Sequence, residues 1–195
     1  MLTIAWDVDD VLNDLMRIWF DTWWLPRHPG CELNYEAIKE NPPHCFLGVE
    51  LNEYLQSLDD FRCSGAYSQL LPNPKVVEWF QGQGFLFRHI ALTAVPCVAA
   101  HISAAWIIRY FGDWIRTFHF VPSLRSNQVV PEYENTKTDY LNWLKKVDVL
   151  IDDNPNNLTG LEAGGIKPLL LSRPWNSSSL SMDDLLRIIS QLNSA

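Results

Sequence analysis

Residues 2–11 read LTIAWDVDDV. An apolar run passes straight into three aspartates, Asp7, Asp9 and Asp10. Leu2–Val8 reads as a short strand buried on both faces and ending in acid. In an open parallel sheet, ligands collect outside the carboxyl ends of the strands. Two carboxylates two residues apart, Asp7 and Asp9, point to the same side while the backbone stays extended. Such a pair can divide a reaction, one as nucleophile and the other as general acid and then base. Clustered carboxylates also repel unless a cation sits among them, and Mg²⁺ prefers a few carboxylates with phosphate oxygens and water. The competing reading is a solvated acidic turn that caps the next helix.

Working outward, the same rhythm returns. Phe85–Leu92 (FLFRHIAL), Thr117–Val121 (TFHFV), Val147–Ile151 (VDVLI) and Pro168–Leu171 (PLLL) are further strand candidates. Between them lie helical patterns. Val98, Ile102, Ala105 and Trp106 follow a 3.6-residue period that Gly112 closes as a C′ residue. Asp139–Lys146 places Tyr140, Leu141 and Leu144 on one face. Asn154-Pro155 reads as N-cap then N1, and Met182–Leu192 as a final helix. Strands alternating with helices imply right-handed βαβ units, hence an α/β fold with a parallel sheet. Cys31 to Pro72 breaks the rhythm. It carries Pro42-Pro43, short helical patches and many aromatics, and reads as a small helical insertion.

Three more signals stand at strand ends or helix starts. Ile151-Asp152-Asp153-Asn154 repeats the opening pattern of apolar strand, paired acids and helix start. Leu92-Thr93-Ala94 offers a hydroxyl and a backbone N–H that can bind a phosphoryl oxygen. Lys137, before the Asp139 helix, could pair with a carboxylate and a transferring phosphate. Singly, each has an ordinary reading: an N-cap, a strand-end threonine, a solvated lysine.

In order, Asp7/Asp9, Thr93, Lys137 and Asp152/Asp153 resemble the motif set of the haloacid dehalogenase-like (HAD) superfamily. The resemblance spans about Leu2 to Leu171. It implies a Rossmann-like three-layer core over 1–30 and 73–195, with 31–72 as a small helical cap of the C1 type. It also implies that Asp7 attacks phosphorus to form an aspartyl-phosphate, and that Asp9 protonates the leaving oxygen and then activates water. Thr93 and the Ala94 N–H would hold the phosphoryl group, and Lys137 would steady Asp7. Mg²⁺ would be bound by Asp7, the Asp9 carbonyl, and Asp152 or Asp153. Haloacid dehalogenases usually lack the second aspartate, so Asp9 favours a phosphatase. The stretch Ala105–Gly112 (AWIIRYFG), with Ala5–Asp14 and Leu150–Asp153, looks like 5′(3′)-deoxyribonucleotidases, implying a nucleotidase. In that family Gly stands where this chain has Asp10, and Ser-Pro follows the threonine where this chain has Ala-Val-Pro after Thr93. A phosphotransferase, a dehalogenase-like hydrolase and a non-catalytic phospho-ligand binder are the alternatives on this scaffold.

The chain has 195 residues, 47% hydrophobic and 19% charged, with a net charge of −8, the make-up of one globular domain. The acidic balance argues against a nucleic-acid polymer or an anionic membrane as main partner, and the resemblance implies a small phosphorylated substrate. No apolar run reaches the roughly 18–20 residues of a membrane span. Met1 leads into LTIAWDV without the basic n-region or small-residue cleavage site of a signal peptide, and four scattered cysteines without CxxC make the cytoplasm the expectation. Nine tryptophans raise the prospect of a stacking platform at Trp19, Trp23 and Trp24, against plain packing of i,i+4 pairs. His28, Cys31, His44 and Cys45 look faintly like a zinc site. Arg125 reads as a phosphate contact or, more simply, a solvated loop residue.

Overall fold

The computed structural model describes residues 1–123, 125 and 128–192. Strand β1 (Thr3–Trp6) leads to α1 (Leu15–Trp19), which runs on through a π turn at Phe20–Trp24 and a 3₁₀ turn at Leu25–Arg27. The inserted segment holds α2 (His44–Leu47), α3 (Leu51–Cys63) and α4 (Gly65–Ser68). Then come α5 (Pro74–Gln83), β2 (Arg88–Val95), α6 (Cys97–Phe111), β3 (Ile115–Pro122), α7 (Lys137–Leu144), β4 (Val149–Asp152), β5 (Lys167–Leu170) and α8 (Met182–Leu192).

The five strands form one parallel sheet in the order β3-β2-β1-β4-β5. The period-2 alternation sends Ile4, Trp6, Val149 and Ile151 into a core shared with α1, α5, α6 and α8. It sends Ala5, Ile90, Leu92 and Leu150 to the other face, under Tyr140 and Leu141 of α7. The chain reverses its direction of travel across the sheet between β1 and β4. Trp6 is level with Ile151 there, and the Asp7 N–H donates to the Ile151 carbonyl at 2.9 Å. This is the switch point at which open α/β sheets bind ligands.

Several local expectations need correction. The second strand begins at Arg88, where the Arg88 N–H donates to the Leu2 carbonyl, and Gly84–Leu86 form a 3₁₀ turn. The strand also runs past Leu92 to Val95, because β3 pairs with it that far. Gly112 has a φ of −60°, so it is no left-handed C′ residue; a Cβ there would lie 2.5 Å from the Ile108 carbonyl oxygen. Helix α7 begins at Lys137, since Thr136 and Asp139 close a capping box around it. Asn154 and Pro155 do start a helix, but a 3₁₀ one ending at Leu158.

The tryptophan cluster is core. The π turn widens the helix, so Trp19 meets Trp24 with ring centroids 5.3 Å apart, an i,i+5 pair in place of the i,i+4 pairs expected. Tyr54 of α3 packs edge-on against Trp19 at 5.4 Å. Segment 31–72 therefore contributes Tyr35, Ile38, Tyr54, Leu58, Phe61 and Tyr67 to the same apolar cluster as β1.

Candidate active site

Four elements converge at the switch point. Asp7 and Asp9 follow β1, Thr93 and Ala94 lie near the end of β2, Lys137 opens α7, and Asp152 ends β4 with Asp153 directly after it. The capping box explains the lysine's position: it starts the helix at Lys137 and swings the first-turn side chain under the sheet edge. Lys137 is completely buried, with Nζ 2.8 Å from Asp7 Oδ2 and 2.7 Å from Asp152 Oδ2. Burial alone would lower the lysine's pKa, but the two carboxylates outweigh it and raise it, so the ammonium is charged.

The carboxylates differ in their partners. Asp7 Oδ1 accepts from its neighbour, the Val8 N–H, at 2.7 Å. Asp152 is saturated: beyond Lys137 it accepts from the Asn154 N–H at 2.9 Å and from Asn157 Nδ2 at 3.1 Å. Asp153 Oδ2 accepts from the Trp175 indole at 2.8 Å, and Asp153 lines the central cavity. Oxygens of Asp7, Asp152 and Asp153 all lie within 4.8 Å of one another. Burial pushes the Asp7 carboxyl well above the usual range despite Lys137, and burial with the Asp152 and Asp10 charges pushes Asp153 up to about 8. Three hard oxygen donors short of positive charge fit a divalent cation of the Mg²⁺ or Ca²⁺ type.

Asp9 is held from the inserted segment. Arg62 of α3 donates to its Oδ2 at 2.9 Å, and the Tyr67 hydroxyl donates to its Oδ1 at 2.9 Å. Asn13 Nδ2 adds a contact at 3.3 Å. Asp10 has a φ of 62°, a left-handed turn fixed by Arg173, whose Nε donates to the Asp10 carbonyl at 2.7 Å. Its carboxyl accepts from the Met16 N–H, and burial pushes it up to about 7.

A cavity of about 240 Å³ opens between these carboxylates and α3. Thr93 and Ala94 line it beside Asp7 and Asp9, with Leu15, Met16, Leu55 and Leu58 as its apolar wall. Arg125 also lines it, and is neither a free phosphate clamp nor solvated. Its Nε and Nη2 grip Asp59 of α3 at 2.6 and 2.7 Å. None of Trp19, Trp23 and Trp24 reaches the cavity. Among the described residues, the Asp7–Asp152–Asp153 group is the one convergence of His, Cys, Asp or Glu ligands. His28 stacks on Trp24 and Cys45 merely touches His44, so no zinc cluster forms.

No protein-family model matches the chain, and neither does any curated protein. Solved structures do. A predicted phosphatase from Clostridium acetobutylicum aligns with a TM-score of 0.64 at 10% identity, over 97% of this chain and 98% of that one. A haloacid dehalogenase-like hydrolase from Streptococcus pneumoniae gives 0.61 at 12%, over 96% and 90%. A subfamily IA hydrolase of the HAD superfamily from Geobacter sulfurreducens gives 0.54 at 14%, over 98% and 96%. The fold is HAD-like. Within it, the sites read from the sequence meet at one edge of the sheet, as the strand order demands.

The sequence reading missed Arg62, Asp59, Arg173, Asn157 and Trp175. A signal for Arg62 was present. On α3 the buried positions Tyr54, Leu58 and Phe61 recur at helical spacing, and Arg62 falls on that apolar face where a charge has no place without a partner.

Proposed function

We propose that the protein is a Mg²⁺-dependent phosphatase that hydrolyses a small phosphomonoester through an aspartyl-phosphate. The observation that carries this is the Asp7–Lys137–Asp152 ion triad beside Asp153, opening on a cavity that also holds Asp9, Thr93 and Ala94. Asp7, Asp153 and the Asp9 carbonyl would hold Mg²⁺, while the saturated Asp152 anchors Lys137. When bound, the metal supplies positive charge against the phosphoryl oxygens.

An Asp7 carboxylate oxygen attacks phosphorus, and the bond from phosphorus to the leaving oxygen breaks. Asp9 gives that oxygen its proton. Water then attacks phosphorus, Asp9 takes the water's proton, and the phosphorus–Asp7 bond breaks to release inorganic phosphate. Val8 N–H and Lys137 orient Asp7, so little motion is needed at the moment of attack. Thr93 Oγ1 and the Ala94 N–H would bind the transferring oxygens. Segment 31–72 acts as the cap, carrying α3 over the site.

The cavity supports a compact leaving group. At about 240 Å³ it falls below the ~300–1,000 Å³ of sites for drug-sized ligands. With no tryptophan in its wall, it favours a short ester over the nucleotide suggested by the sequence. All four cysteines are free thiols, which supports a reducing, cytoplasmic setting.

The test is phosphate release, with and without Mg²⁺, from alkyl, sugar and nucleoside phosphates and an aryl phosphate. Metal-dependent release from short esters is expected. No release from any substrate under either condition would overturn the phosphatase.

A further inference from the structure

Arg62 is a buried cation with an unfinished set of partners. Its side chain is 8% exposed, yet it makes one close ion pair, to Asp9. Its Nη1 lies 3.7 Å from Asp59 Oδ1, beyond hydrogen-bond reach. Its Nε has no partner among the described residues. Asp59 offers Arg62 only this longer contact, since its close hydrogen bonds go to Arg125 through both carboxylate oxygens. Two guanidiniums thus share one cap carboxylate, and Arg62 leans on Asp9 for its countercharge.

The proposed chemistry removes that support. Asp9 must turn its carboxyl to the ester oxygen, and a buried guanidinium left with no countercharge closer than the shared Asp59, at 3.7 Å, is destabilised. An anion arriving with the substrate repairs the loss. The guanidinium fork suits a carboxylate, which it can grip through two N–H groups. Arg62 and Arg125 both line the cavity, with Asp7 and Thr93 in its wall as well, and Leu15, Met16, Leu55 and Leu58 suit a short carbon chain.

We propose that Arg62, supported by Arg125, is a subsite for a carboxylate on the leaving group, so that the preferred substrates are short carboxylated phosphomonoesters. The assignment deepens the phosphatase reading and rests on it. It also gives discrimination a mechanism. A carboxylated ester draws Arg62 off Asp9 and frees the general acid, whereas a neutral ester leaves the two paired.

Binding tests this without turnover. The wild-type protein, with Mg²⁺, is titrated calorimetrically with 3-phosphonopropionate and with propylphosphonate, whose carbon–phosphorus bonds the ester chemistry does not cleave. The carboxylated ligand is expected to bind about ten- to hundredfold tighter, the worth of a hydrogen-bonded charge pair. Arg62→Gln and Arg125→Gln are each expected to reduce that preference to a few-fold. If Arg62→Gln does not fold by circular dichroism, Arg125→Gln decides. Equal binding of the two ligands, no binding of either, or a preference untouched by the arginine variants would overturn the subsite. Hydrolysis of the matching esters separates the two readings. Carboxylate preference without turnover of any ester would keep the subsite and remove the phosphatase; turnover without preference would do the reverse.

Discussion

Lys137 and Asp7 meet at 2.8 Å, and the lysine is wholly enclosed, with Asp152 at 2.7 Å on its other side. The ammonium is the one cation touching Asp7 among the described residues. It has no solvent to fall back on, so fold and site share it. Lys137→Met is therefore expected to destabilise the protein by about 3–5 kcal/mol, the cost of breaking a buried pair from one side. Urea unfolding measures this. A loss under about 1 kcal/mol would show that Asp7 and Asp152 do not depend on the lysine for their charge.

Asp7→Asn is expected to keep the fold, since the amide matches the carboxylate in shape, its one oxygen still accepts from Val8 or Lys137, and Asp152 keeps its pair with Lys137, and to reduce phosphate release to background. Asp9→Asn should lower kcat by about 10²–10⁴-fold, as loss of a general acid does. Wild-type rates in either variant would reject the role assigned to that residue.

Metal binding should be proton-linked. Asp153 is pushed up to about 8 and Asp7 is raised, both first by burial, while an unfolded aspartate titrates near the usual ~3.9. From about pH 4 to 8 the metal-free folded protein thus holds more protons than the unfolded chain, and these groups cost it stability as pH rises. Bound as proposed, Mg²⁺ would replace the protons. The rise in Tm on adding Mg²⁺ should be larger at pH 8 than at pH 5.5, as differential scanning calorimetry would register. A rise that is equal at both pH values would place the metal away from Asp7 and Asp153.

The Trp175 indole orients Asp153. Trp175→Phe keeps most of the packing against Tyr35 and removes the N–H, so with Asp153 holding Mg²⁺ as proposed, Mg²⁺ affinity should fall about 10–100-fold. Calorimetric titration with Mg²⁺ decides it; unchanged affinity would leave Asp153 oriented by other groups.

In the core, His89 accepts from the Trp6 indole at 3.0 Å, and its other nitrogen donates to the Gly84 carbonyl at 2.8 Å. This is the neutral ring, and burial lowers its pKa to about 4. An unfolded histidine titrates near the usual ~6.5, so between about pH 6.5 and 4 the unfolded chain binds the extra proton. His89 should therefore withdraw about 3 kcal/mol of stability as pH falls through that window. Comparing the wild-type urea midpoint with that of His89→Gln from pH 7 to 4 tests the slope; parallel curves would mean that His89 does not titrate there.

Much of this was legible in the residues themselves. Short apolar runs marked the strands, and acids directly after two of them marked the carboxyl edge of the sheet. These signals are local, because an apolar run and the acids at its end are properties of a few consecutive residues. The same local logic placed Lys137 at a helix start, though not as the first helical residue, which the Thr136–Asp139 capping box decided.

Tertiary structure alone decided the rest. Which of Asp152 and Asp153 faces the cavity depends on Asn157 and Trp175, brought in by later segments. That Asp9 is held by Arg62 and Tyr67 depends on how the insertion packs over β1. A charged side chain's partner is set by distance in space, and in a low-dielectric interior that partner governs its charge and aim. Local pattern therefore determined which residues stand at the sheet edge. Only the packing of distant elements, where burial makes each unmatched charge costly, determined how those residues are paired.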